Sequence, residues 1–121
     1  MIIGIVGSRR RDEQVDYDAV EKAFLSLYKV GDKKISIVSG GCPKGGDRFA
    51  ELIAIKYGLT LKIYPAEWDK YGKRAGFIRN EYIAQDADIL IACVSKDRTG
   101  GTENTIEYFK RIHPDKVLML V

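Results

Sequence analysis

Short apolar runs alternate with helical stripes along the chain. Ile2-Ile3-Gly4-Ile5-Val6 is an uninterrupted β-rich run, and Gly7-Ser8 breaks it. From 13 to 29, Val20, Ala23, Phe24, Leu27 and Tyr28 recur at i, i+3, i+4, i+7 and i+8, which predicts an amphipathic helix. Gly31-Asp32 is expected to end it. Ile35-Ser36-Ile37-Val38 reads as a second strand, stopped by Ser39-Gly40-Gly41. Phe49, Leu52, Ile53 and Tyr57 predict a helix over 46–57, closed by Gly58. Leu59 to Tyr64 reads as a third strand ended by Pro65, and 65–74 as a polar, aromatic loop. A third helix is predicted over 75–86, a fourth strand over Ala87 to Val94, and a fourth helix over 102–112, stopped by His113-Pro114. Lys116 to Val121 is the fifth strand.

Strands apolar on both faces belong in a parallel sheet covered by helices. Alternation of β and α then predicts a Rossmann-like, doubly wound α/β three-layer sandwich with five parallel strands. One domain is expected over 1–121. Two strand orders are compatible with the elements, 3-2-1-4-5 and 2-1-3-4-5. The first is preferred, because it brings the turns after strands one, two and four into one crevice.

Composition narrows the classes. At 45% hydrophobic and 31% charged the chain can bury a core, which excludes disorder. Lys and Arg total 20 against 17 Asp and Glu, a formal +3, too little for a polycationic nucleic-acid binder. No run is long enough to span a bilayer, and no leading basic region marks a signal peptide. Cys42 and Cys93 make neither a disulfide framework nor a zinc set, and His113 is the single histidine. A reducing, cytoplasmic setting without a metal site is the expectation.

In open α/β sheets ligands bind beyond the carboxyl ends of the strands. The segments that leave those ends are unusual here. Gly7-Ser8-Arg9-Arg10-Arg11 comes after the first strand. Ser39-Gly40-Gly41-Cys42-Pro43-Lys44-Gly45-Gly46-Asp47-Arg48 comes after the second. Pro65 to Gly76, leading to Arg79-Asn80, comes after the third, and Ser95 to Thr102, ending Gly100-Gly101-Thr102, after the fourth. The opposite turns, such as Gly31-Asp32-Lys33-Lys34 and Tyr57-Gly58, are ordinary. A glycine-rich loop entering a helix presents backbone N–H groups and a positive dipole end to an anion. Lys44 and Arg48 add charge at one such loop, Arg9 at another, and Thr102 offers a hydroxyl and an N-cap at the third. Neither G-x-x-x-x-G-K-[ST] nor G-x-G-x-x-G is present. Together these turns point to a phosphate-bearing ligand.

Arg9 is the first candidate for a phosphate, and Arg10 and Arg11 read as surface charges. Arg79 is the second candidate clamp, with an internal ion pair to Glu67 or Asp69 as the competing reading. Asp47 is expected to cap a helix, to accept from ribose hydroxyls or to order Arg48. Trp68 and Tyr71 either staple their loop or form a stacking wall over the ligand. Cys42 reads as a turn residue lining the pocket, Cys93 as core, and His113 as a helix-terminal packing residue.

Gly7-Ser8-Arg9, the 39–48 stretch, Glu67 to Gly76, Arg79-Asn80 and Gly100-Gly101-Thr102 occur in an order that resembles the SLOG superfamily. That superfamily joins the DNA-processing Smf/DprA proteins and the LOG phosphoribohydrolases, and the likeness is to its small YspA/YpsA-related branch. The resemblance implies a Rossmann-like fold and a nucleotide or nucleotide-derived ligand, AMP- or ADP-ribose-like, at the glycine-rich edge. It implies binding through Gly7, Ser8, Arg9, Ser39, Gly40, Gly41, Gly45, Gly46, Asp47, Arg48, Trp68, Arg79, Asn80, Gly100, Gly101 and Thr102. The LOG enzymes carry PGGxGTxxE. Here the residue at the glutamate's position is Thr105, and Glu103 and Glu107 lie out of register.

Three functions are compatible with these residues. A binding module would sense or carry the nucleotide. A phosphoribohydrolase or N-glycosidase would need a carboxylate at the ribose, from Glu103, Glu67 or Asp47. A nucleic-acid module is disfavoured by the charge. Membrane association is not expected, and a homo-oligomer is left open.

Overall fold

The structure is a computed structural model that describes residues 1–29 and 34–121. Its elements, in chain order, are β1 (Ile2–Gly7), α1 (Gln14–Leu25), β2 (Ser36–Ser39), α2 (Gly46–Tyr57), β3 (Thr60–Ile63), α3 (Trp68–Tyr71), α4 (Ala75–Asp86), β4 (Ile89–Cys93), α5 (Gly101–Ile112) and β5 (Val117–Leu120). The strands form one all-parallel sheet in the order β3-β2-β1-β4-β5. This is the Rossmann-like three-layer α/β arrangement, with 3-2-1-4-5 and not 2-1-3-4-5. β1 is central: Ile3 pairs with Ile37 on one side and Ile89 on the other.

The sheet is buried on both faces because successive strand residues point opposite ways. Ile3 and Ile5 of β1, Ile37 of β2 and Ile91 and Cys93 of β4 pack with Val20, Phe24, Phe49 and Ile53 of α1 and α2. The alternate residues, Val6, Val38, Leu90 and Ala92, pack with Ile83, Ile106 and Phe109 of α4 and α5. Gly4 faces the second layer, where an added Cβ would stand 2.9 Å from Leu90 and 3.0 Å from Ala87. The Leu90 and Ala87 side chains therefore close over β1 where Gly4 carries none.

The elements differ from the sequence pattern in two places. α1 stops at Leu25 and does not run to 29. The Ser26 hydroxyl donates to the Ala23 carbonyl at 2.6 Å, which competes with continued helix. The turn after it still buries Tyr28, stacked on Phe24 at 5.1 Å. The expected stop at Gly31-Asp32 lies outside the described residues. The 65–74 loop is also more ordered than its composition suggests: α3 occupies part of it, and a 3-10 turn at Gly72–Arg74 comes next. No helix among the described residues is long and apolar enough to cross a membrane.

Candidate functional site

The connection from β1 moves to β2 on one side, and β4 lies on the other, so the loops leaving β1 and β4 diverge. A groove opens between them at the carboxyl edge. It has two adjoining lobes of about 420 Å³ and about 600 Å³. Arg9, Arg10, Cys42 and Arg79 line both. The inner lobe adds Gly7, Ser8, Asp47, Asn80, Gly100, Gly101 and Thr102. The outer lobe adds Gly40, Gly41, Lys44 and an apolar wall of Ile63, Pro65, Ala66 and Trp68. Ser39, Gly45, Gly46, Arg48, Glu67 and Glu103 line neither lobe.

The 39–48 loop is organised around two carboxylates of the chain itself. Asp47, buried, accepts from the Ser39 hydroxyl at 2.9 Å and from the Cys42 N–H at 3.0 Å. It is not the cap of α2, and it does not order Arg48. Gly45 is the cap, at φ 73, a conformation that glycine adopts without strain. Its N–H donates to Asp12 at 2.7 Å. Arg48 donates to the same carboxylate at 2.8 Å and to the Asp12 carbonyl at 2.9 Å, with its guanidinium over Phe49. The Gly45 N–H, and then Arg48, hold Asp12 below the usual carboxylate range. The positive end of α2 is thus answered from inside the protein. Gly46 serves packing: a Cβ there would collide with the backbone of Val6 and Gly7.

The start of α5 is different. Gly100, at φ 102, is its cap, so Thr102 is the second residue of the helix and is not the cap expected from sequence. Thr102 is buried and lines the inner lobe, and its hydroxyl has no partner among the described residues. Asn80, also buried, donates to the Gly101 carbonyl at 3.3 Å and to Asn104 at 3.0 Å. Its oxygen accepts from Arg79 Nε at 2.9 Å, and Arg79 Nη1 donates to the Gly40 carbonyl at 3.0 Å. Arg79 is therefore held by two neutral acceptors. The alternative pairing with Glu67 or Asp69 is not formed, and no carboxylate pairs with Arg79 or with Arg9 among the described residues.

The carboxylates considered for catalysis are placed elsewhere or already engaged. Glu103 forms a two-point pair with Arg98 at 2.8 and 2.9 Å. Glu67 is exposed at the start of α3. Asp47 is in the inner lobe, with its oxygens turned to chain donors. Trp68 is 58% exposed and lines the outer lobe.

Two arginines expected to be plain surface charges are not. Arg10 lines both lobes and forks onto Asp97 at 2.8 and 2.8 Å. Arg11 pairs with the buried Asp16 at 2.9 Å and donates to the Val94 carbonyl at 3.1 Å. Their position directly after a central strand was the available signal, since that position places side chains on neighbouring loops. Asp12 carried no signal at all. His113 caps α5 beside Phe109, with Nε2 3.1 Å from the Gln85 carbonyl. Cys93 is core, and burial pushes its thiol up to about 11. Comparisons of the chain with protein-family models, curated proteins and solved structures return no match.

Proposed function

We propose that the protein binds a nucleotide or nucleotide-derived ligand, AMP- or ADP-ribose-like, in the groove, as a sensor or carrier of the SLOG type. The observation that carries this reading is a pair of groove arginines that no carboxylate engages among the described residues. Arg9 and Arg79 have no carboxylate partner among the described residues, and they face the first turn of α5, whose dipole end has the same sign. A phosphate there receives guanidinium and backbone N–H donors together with the Thr102 hydroxyl. The apolar wall ending in Trp68 suits a base, which stacks on an indole regardless of its hydrogen-bond pattern. Binding is favoured over glycosidic hydrolysis because the candidate carboxylates are committed to Arg98, to the 39–48 loop or to solvent.

Thermal unfolding tests the reading. A ligand at 100 times its Kd stabilises the native state by about 2.7 kcal/mol. For a domain of this size that raises the midpoint by roughly 10 °C. ADP, AMP or ADP-ribose is expected to give such a rise, and adenosine or ribose a much smaller one. Arg79→Ala should shrink the rise, since a charge-assisted hydrogen bond contributes about 1.5–3 kcal/mol. A wild type indifferent to every phosphate compound removes the proposal, and release of free base during incubation replaces it with the hydrolase.

A further inference from the structure

We infer that Arg10 is exchanged between an internal carboxylate and the ligand, so that an anion entering the waist of the groove releases the 95–100 loop. The inference rests on the nucleotide reading above and concerns the regulation of the same site.

Arg10 stands where the two lobes meet. Its terminal edge is fully engaged and its lateral edge is engaged at Nη2. The terminal edge, Nη1 and Nη2, forks onto Asp97. Nη2 also donates to the Thr99 hydroxyl at 2.9 Å, which engages one of the two donors of the lateral edge and leaves Nε to the groove. A phosphate that takes the terminal edge of Arg10 through two donors must therefore displace Asp97. The pair is also easily exchanged. Its side chains are 57% and 55% exposed, and water and salt screen such a pair.

The displaced group organises the loop. Asp97 accepts from the hydroxyls of Ser95 at 2.9 Å and Thr99 at 2.8 Å. The Thr99 N–H donates to the Ser95 hydroxyl at 3.3 Å. Between them Arg98 sits at φ 55, the one non-glycine positive φ among the described residues, a conformation kept only where surrounding contacts hold it. Arg10 is the side chain that ties this small network to the β1 loop across 87 residues. Once Arg10 turns to a ligand, Asp97 keeps only its local hydroxyl partners, and the loop running into Gly100 and α5 loses its side-chain tie to the β1 loop while Arg98 still holds Glu103. Occupancy of the groove is thereby converted into mobility of an exposed loop, which a partner can read.

The test combines calorimetric titration with amide hydrogen exchange, using ADP as probe, on wild type, Asp97→Asn and Arg10→Ala. In wild type, ADP should speed exchange of the 97–100 amides. Asp97→Asn should show that fast exchange without ADP and bind ADP at least about fivefold more tightly, a coupling of ordinary allosteric size. Arg10→Ala should bind more weakly and show fast exchange that ADP does not alter. If wild type binds ADP while the 97–100 amides are unchanged or slowed, or if Asp97→Asn binds no more tightly, the exchange is overturned and the nucleotide reading stands. If wild type binds none of ADP, AMP and ADP-ribose, the nucleotide reading falls. Inorganic pyrophosphate then tests the exchange alone: faster 97–100 amides retain it, and unchanged amides overturn it.

Discussion

Gly40 and Gly46 belong to one glycine-rich run, but a methyl group would meet different surroundings at each. At Gly46 it meets the β1 backbone, which cannot move aside. At Gly40 it meets Asp47 Oδ2 at 2.6 Å and Arg79 Nη1 at 2.7 Å, which are side-chain ends at the groove. Gly46→Ala is therefore expected to cost about 1–3 kcal/mol of stability, as overpacking does. Gly40→Ala should lower the urea midpoint less than Gly46→Ala does, yet lose most of the thermal shift with ADP. Similar urea midpoints for the two variants would contradict the assignment. The sequence cannot separate these glycines, because a turn composition records that a Cβ is unwelcome and not which neighbour excludes it. Arg9 and Arg10 pose the same problem. They are adjacent and identical in type, and only the position of Asp97 makes one free and the other tied.

α2 and α5 both begin at a glycine of positive φ on the same edge, at 73° and 102°. One start is closed by Asp12, which arrives from 33 residues upstream. The other is open. Asp12→Ala should leave the Gly45 N–H and Arg48 without their shared acceptor and lower the melting midpoint. It should also create a second anion seat, so that sulfate raises the midpoint of the variant more than that of wild type. Equal responses to sulfate would mean that water serves this helix end as well as a carboxylate does. The helix over 46–57 was legible because one stripe of apolar residues runs through it, and 3-2-1-4-5 because glycine turns mark the edge where loops converge. The end of α1 and the existence of α3 were not. Ser26 ends a helix by a local hydrogen bond that periodicity does not encode, and α3 spans too few residues to show a period.

Across the whole molecule, α1 and α2 are tied by Glu21, which accepts from Tyr17 at 2.9 Å, Tyr57 at 3.0 Å and Lys56 at 2.7 Å. Burial and then the bond to Glu21 push the Tyr17 phenol up to about 12. The unfolded phenol titrates near 10. The raised folded value means that this contribution is whole below about pH 10 and is lost as pH rises toward 12. Ultraviolet titration should therefore show a late-ionising phenol that Tyr17→Phe removes, and the variant should lose less stability between pH 10 and 12. A phenol ionising with the rest would refute the tie. The sheet order has a consequence in time as well. The β1–β2 ladder starts at Ile2 and Ser36, whereas the β1–β4 ladder starts at Ile3 and Ile89 and joins the strands farthest apart in sequence. The proposed ligand touches Arg9 after β1 and Thr102 after β4, so its seat exists only when that last ladder has closed. Late-formed contacts change unfolding rates and leave folding rates alone. In stopped-flow urea experiments ADP should lower the unfolding limb while the refolding limbs superpose, and a faster refolding limb would place the groove in the transition state. On this basis the ligand governs how long a folded molecule lasts and has no part in how quickly one is made.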